Sequence, residues 1–215
     1  MHKIHFMTPC YGGNITEACF NSYLQWTAFA VKEKIPFDLD TLANESNVNK
    51  ARNSCVARFL AGDASHLMFV DSDIQWNNQD IIKLMSHDVD VVGGIYPQKV
   101  LPPKMVVNTI DNGKHKGNLF EVGTIGTGFL LIARVVFEAM IDQGAQKYLD
   151  AAGPAYDFFN CTIDSNGQYL TEDWSFCRRW RQLGGIVYAD TTVQLAHVGY
   201  HRFQPDIGEI KIGNN

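Results

Sequence analysis

The sequence predicts an α/β fold, an open and mostly parallel central sheet flanked by helices, with a small antiparallel lobe in its second half. Three observations point there. Short apolar runs alternate with stretches of helical periodicity through the first hundred residues, the pattern of strands joined by crossover helices. One run, His66-Leu67-Met68-Phe69-Val70, is continuous and too short for a helix, which marks a strand buried on both faces. The chain has 215 residues, enough to bury about 70% of its unfolded surface in one substantial core, whereas two full domains would be cramped.

In chain order, residues 4–7 form an apolar run that ends in Thr8-Pro9-Cys10-Tyr11-Gly12-Gly13, a strand entering a glycine-rich loop. Apolar residues recur at helical spacing over 16–34, with Thr16 as N-cap and Pro36 beyond the end. A strand is expected over 37–42, a helix over 47–61 stopped by Gly62, the buried strand over 66–70 and a helix over 78–86. A strand over 89–95 breaks at Gly93-Gly94 and Pro97. The second half changes character, with Pro102-Pro103, strands near Val106 and Leu119, and a hairpin-like stretch at Asp111-Asn112-Gly113. A strand over 129–132, a helix over 134–143, a loop over 150–168, a helix over 172–183 and a last strand over 186–189 complete the reading.

Hydrophobic residues make up 46% and charged residues 19%, a balance that excludes disorder and fibrous repeats. The net charge is −5, and the longest cationic run is Arg178-Arg179, so nucleic acid is not the expected partner. Five scattered cysteines without CxxC spacing suit reduced thiols, and the expected setting is cytoplasmic. No stretch approaches the roughly 20 apolar residues of a membrane span, and the first residues read directly into a strand.

Two strand ends carry chemistry: the loop from Thr8 to Gly13 and the triplet Asp71-Ser72-Asp73. In open α/β sheets, ligands gather at the carboxyl ends of strands, so both belong to one crevice. Asp-x-Asp triplets are common in loops, where they cap turns and helices. A buried strand that ends in two like charges, however, calls for something to neutralise them, and Mg²⁺ or Mn²⁺ is the fitting cation for oxygen ligands.

The stretch Leu67-Met68-Phe69-Val70-Asp71-Ser72-Asp73-Ile74 resembles the DxD segment of the GT-A class of nucleotide-sugar glycosyltransferases, and the likeness extends from Ile4 to about His201. The resemblance implies a GT-A (Rossmann-like) fold whose nucleotide-binding half is about residues 1–100 and whose acceptor-side half is about 101–215, with the chain standing alone or within a longer polypeptide. It implies that Thr8, Pro9, Cys10 and Tyr11 hold the base and ribose of a UDP-sugar, Tyr11 stacking on uracil, and that Arg52 touches the base or a phosphate. Asp73 and His197 are the implied metal ligands, and Asp71 is a third ligand or a contact to the ribose or to a water on the cation. Ser72 and Gly128 belong to the donor pocket, Gly128 through Gly126-Thr127-Gly128-Phe129. Glu172 and Asp173 are the implied catalytic carboxylates beside a glycan or glycoprotein acceptor, one of them a general base if the enzyme inverts, or groups that orient the acceptor or support the oxocarbenium-like sugar if it retains. The Ile74-Gln75-Trp76 continuation is similar to viral glycosyltransferase domains that act on capsid protein, which implies a glucose or rhamnose donor and work in a host cytoplasm.

Bland alternatives exist for each residue: a lone His beside a strand is usually structural, and carboxylates in a first helical turn gain roughly 0.3–1 kcal/mol from the helix dipole. Trp76, Tyr156, Phe158, Phe159 and Trp174 are candidates for an acceptor groove or for ordinary core. Three rival functions are a phosphohydrolase of haloacid dehalogenase type, a sugar nucleotidyltransferase and a non-catalytic glycan-binding module. The first would place its Asp-x-Asp on the first strand, and the second would want a lysine in the loop from Thr8 to Gly13, which has none.

Overall fold

The computed structural model describes residues 2–150 and 153–205. The first half runs β1 (Ile4–Cys10), α1 (Glu17–Glu33), β2 (Phe37–Ala43), α2 (Val48–Ala61), β3 (His66–Val70), β4 (Ile74–Gln75), α3 (Asn78–Ser86) and β5 (Val91–Gly94). The second half adds β6 (Val107–Thr109), β7 (His115–Lys116), β8 (Leu119–Ile125), β9 (Phe129–Ala133), α4 (Arg134–Asp142), β10 (Lys147–Asp150) and β11 (Gly153–Tyr156). It continues through β12 (Thr162–Ile163), β13 (Tyr169–Leu170), α5 (Glu172–Gln182), β14 (Val187–Asp190), β15 (Ala196–Val198) and β16 (Arg202–Phe203).

One nine-stranded sheet draws on both halves of the chain in the order β2-β1-β3-β9-β5-β14-β8-β6, with β7 also on β8. β1 lies parallel to β2 and β3, and β14 parallel to β5. β9 runs antiparallel between β3 and β5, and β8 antiparallel to β14, so two strands oppose the common direction of the other seven. The expected mostly parallel sheet with flanking helices and small antiparallel additions is the architecture found.

Side chains alternate across this sheet with the period of two that a pleated strand imposes. Leu67 and Phe69 of β3 join Met7, Phe59, Phe137 and Phe176 in one core, on the side of α2, α4 and α5. Met68 and Val70 join Phe6, Trp26, Trp76 and Ile81 in the other, beneath α1 and α3. Burial on both faces explains why β3 reads as an unbroken apolar run. Thr16 caps α1 by accepting from the Cys19 amide, as its type and position predict, and Asn47 does the same for α2.

Several expectations change. The antiparallel strands near Val106 and Leu119 are β6 to β8, which extend the main sheet, while the separate antiparallel pieces are β10-β11, β12-β13 and β16-β15-β4. The segment expected as a loop over 150–168 contains β11 and β12, each half of a hairpin; its residues 151–152, like 206–215 of the acceptor-side half, lie outside the described residues. Trp76, Phe158 and Phe159 are core residues with at most 1% exposure, so they line no groove. All five cysteines are free, and burial pushes the Cys55 and Cys177 thiols up to about 12. Among the described residues no helix is long and apolar enough to cross a membrane.

His66 opens β3 with its ring against His2, and burial first, then the His2 charge, lowers its pKa to about 4. The unfolded chain therefore takes up this proton near pH 6.5 while the folded chain resists it, so stability present above pH 6.5 is lost as pH falls toward 4. Chemical denaturation across this window should show that fall, flattened in His66→Asn; an identical slope in the variant removes His66 as its source.

Candidate active site

The backbone brings three distant segments to the carboxyl end of β3. Antiparallel pairing sets Val70 opposite Phe129, so the start of β9 meets the end of β3, and the Asp71 amide donates to the Gly128 carbonyl at 2.9 Å. The Thr16 amide donates to the Ser72 carbonyl at 2.8 Å, which ties the cap of α1 to the triplet. β4 pairs with β15, with Ile74 opposite His197, and the Val198 amide donates to the Asp73 carbonyl at 2.8 Å. A glycine is required at 128: an added Cβ would stand 2.6 Å from the Tyr96 hydroxyl and 2.8 Å from Asp71 Oδ2.

Arg52, on α2, reaches the floor of this site and is 4% exposed. Its Nη2 donates to Asp71 Oδ1 at 2.9 Å and Oδ2 at 3.3 Å, and its Nε lies 3.5 Å from Glu172 Oε1. Burial alone would lower the guanidinium pKa, but Asp71 and Glu172 raise it well above the usual value, so the charge is permanent. Nη1 makes no hydrogen bond among the described residues. Burial raises the Glu172 carboxyl against the opposing pull of Arg52. The Tyr96 hydroxyl accepts from the Gly128 amide at 2.9 Å, and burial, followed by the Asp71 charge, pushes it far up, so Tyr96 stays neutral.

Asp73 faces a different set of partners. Lys99 Nζ stands 2.5 Å from its Oδ2, and His197 Nε2 stands 3.3 Å from its Oδ1. Burial would raise the Asp73 carboxyl, but hydrogen bonds from His197 and Lys99 hold it below the usual carboxylate range. His197 Nδ1 lies 2.8 Å from the Pro97 carbonyl, which accepts only if Nδ1 carries the proton. With Nδ1 given to Pro97, Nε2 donates to Asp73 when it carries a proton, and only on losing that proton can it share a cation with the carboxylate. Oxygen from Asp73 and nitrogen from His197 form a donor pair whose chemistry fits Mn²⁺ or Mg²⁺. Among the described residues no group of three His, Cys, Asp or Glu side chains could hold a metal by itself.

Pro9, Tyr11, Arg52, Asp71, Ser72, Asp73 and His197 line one crevice of about 240 Å³, together with Glu45, Ser46, Val48 and Ala51. Tyr11 is 75% exposed at its edge. Thr8 and Cys10 are buried instead, the Thr8 hydroxyl sharing a hydrogen bond with Tyr23. Glu172 and Asp173 open α5; Asp173 Oδ1 accepts from the Thr171 hydroxyl and from the Trp174 amide at 2.8 Å, which leaves Oδ2 unbonded among the described residues. Sequence reasoning missed Tyr96, Lys99 and the Pro97 carbonyl. Only the break of the strand at Gly93-Gly94 hinted that the following segment turns back toward β3.

No family model and no curated protein matches the chain. Among solved structures the chain is similar to A197 from STIV, at 21% identity over 100% of this chain and 99% of that one, with a TM-score of 0.58. It is also similar to a mutant β1,4-galactosyltransferase 7 from Drosophila in complex with manganese, UDP-Gal and xylobiose, at 14% identity over 98% and 78% of the two chains, with a TM-score of 0.53. The fold is of the GT-A type. A glycosyltransferase involved in glycosylation of the major capsid of PBCV-1 aligns with 65% of this chain at a TM-score of 0.38, too loosely to bear on the site. The GT-A architecture places Asp71 and Asp73 where the sheet offers a crevice at a strand end.

Gly128→Ala should test how tightly the site is packed. Overpacking of this kind costs about 1–3 kcal/mol, read as a lower denaturation midpoint. Unaltered stability would show that the site has slack there.

Proposed function

We propose that the chain is a metal-dependent glycosyltransferase that takes a sugar from a UDP-sugar and passes it to a hydroxyl of a glycan or glycoprotein. The observation that carries this reading is a crevice lined by Asp73, His197 and Asp71, the last fixed by the buried Arg52. A divalent ion on Asp73 and His197 would supply the positive charge that a diphosphate needs. The neighbouring GT-A structure crystallised with manganese and UDP-Gal supports it as an analogy of fold.

In this reading Asp73 and His197 hold the divalent ion, which acts as a Lewis acid on the diphosphate when bound. Arg52 adds a fixed positive charge beneath the bound nucleotide and holds the Asp71 carboxylate in place, without touching the ligand through its sealed Nη1. Asp71, held by Arg52, accepts from the ribose. Tyr11 covers the base, and Ser72 and the backbone at Gly128 close the pocket around the sugar. Asp173 is the general base, because its Oδ2 is free while Glu172 already faces Arg52. The acceptor oxygen bonds to the anomeric carbon as the bond to the diphosphate breaks; Asp173 takes the hydroxyl proton and UDP leaves. Glucose and rhamnose are the donor sugars to try first, and a cytoplasm, of a host cell if the source is viral, is the proposed setting.

The test is Mn²⁺-dependent release of UDP from UDP-sugars, with and without glycan acceptors. Asp73→Ala should weaken UDP binding in Mn²⁺ by tenfold or more, about 1.4 kcal/mol, with little change in melting temperature. Wild-type affinity in that variant contradicts the metal role. Asp173→Asn should leave UDP affinity alone and lower transfer by about 10²–10⁴-fold; undiminished turnover removes Asp173 from the chemistry. Release of phosphate from simple monoesters would instead favour the phosphohydrolase reading.

A further inference from the structure

A second groove runs along α5 where that helix lies against β6 and β8. Its volume is about 610 Å³, and it shares no lining residue with the crevice at Asp73. Trp174, Arg178, Arg181 and Gln182 recur at i, i+4, i+7 and i+8, so one stripe of α5 forms a wall. Thr109 of β6 and Gln168 of the β12-β13 hairpin also line it. Glu172, which faces Arg52, lies about 200° around the helix from Trp174. The groove therefore belongs to a different face of α5 from Glu172 and the Arg52 pair.

Its charges are already neutralised. Arg178 pairs with Asp164 at 2.5 Å, and Arg181 pairs with Glu121 at 2.8 Å while also donating to the Val122 carbonyl. Beside these ion-paired arginines stand neutral groups without a protein partner among the described residues: the Trp174 indole N–H, the side-chain amides of Gln168 and Gln182, and the Thr109 hydroxyl. Of the four tryptophans, Trp26, Trp76 and Trp180 are buried, and Trp174 alone is partly exposed. An anion would have to compete with Asp164 and Glu121 for arginines already paired, and an apolar ligand would leave the amides and the hydroxyl unsatisfied. A sugar ring satisfies both demands, its C–H face on the indole and its hydroxyls on the amides.

We propose that this groove binds a neutral oligosaccharide. On the glycosyltransferase reading, which this last step relies on, it grips a part of the acceptor glycan remote from the reacting hydroxyl.

The experiment is titration of the intact protein with maltohexaose, cellohexaose and xylohexaose, read by tryptophan emission and by protection from acrylamide quenching. At least one should bind saturably and shield Trp174, with affinity falling tenfold or more in Trp174→Ala and severalfold in Gln182→Ala; circular dichroism checks that both variants fold. Asp73→Ala should bind the oligosaccharide as the wild type does, so a failure of UDP binding leaves the groove proposal standing and the reverse also holds. Absence of saturable binding by all three up to about 10 mM, equal binding in both groove variants, or Trp174-dependent binding of inorganic phosphate or a sulfated hexasaccharide in their place each overturns it.

Discussion

The charge of Arg52 organises the crevice. A guanidinium with 4% exposure has lost most of its hydration, and only carboxylates at close range make that tolerable. Asp71 and Glu172 supply them, one from the end of β3 and one from the start of α5, so a single side chain ties the sheet to a helix a hundred residues further on. Its guanidinium carbon also sits 5.2 Å from the centre of the Phe69 ring, which fixes the fork over the core. Because Asp71 is committed to Arg52, the two aspartates of the triplet are separated in role: Asp71 is anchored, and Asp73 faces Lys99 and His197.

The crevice and the groove differ in electrostatic character. The first gathers a permanent buried cation, three acidic side chains and an imidazole whose Nε2 looks toward a carboxylate, an arrangement suited to a highly charged ligand. The second has its arginines neutralised by neighbouring acids and offers an indole and amides, an arrangement suited to an uncharged one. Lys99 adds a further constraint in the crevice, since a cation arriving at Asp73 must share the carboxylate with it or displace it.

Much of this was legible in the amino-acid order. The abrupt end of an apolar run in Asp71-Ser72-Asp73 marked both a strand and its charged tip, because period-two burial and helix caps are local effects. Arg52 was legible only through a resemblance, since α2 carries nothing that says which of its faces looks toward β3. Tyr96, Lys99 and the Pro97 carbonyl were invisible because they reach the site only after β9 inserts antiparallel between β3 and β5, a pairing that no local pattern encodes. Thr8 and Cys10 were read as pocket residues from their place in the loop, yet they alternate inward with the last turns of β1. The segment over 150–168 read as loop because its strands are too short to show a period.

If Asp73 and His197 give a divalent ion only two side-chain ligands, its other positions fall to the diphosphate, and the two ligands must strengthen each other by the same factor. Titrating Mn²⁺ by its electron paramagnetic resonance signal, alone and with saturating UDP, measures that coupling directly. The account predicts weak Mn²⁺ binding that tightens tenfold or more with UDP, a gain of about 1.4 kcal/mol. Mn²⁺ affinity indifferent to UDP, or UDP binding indifferent to Mn²⁺, would contradict it.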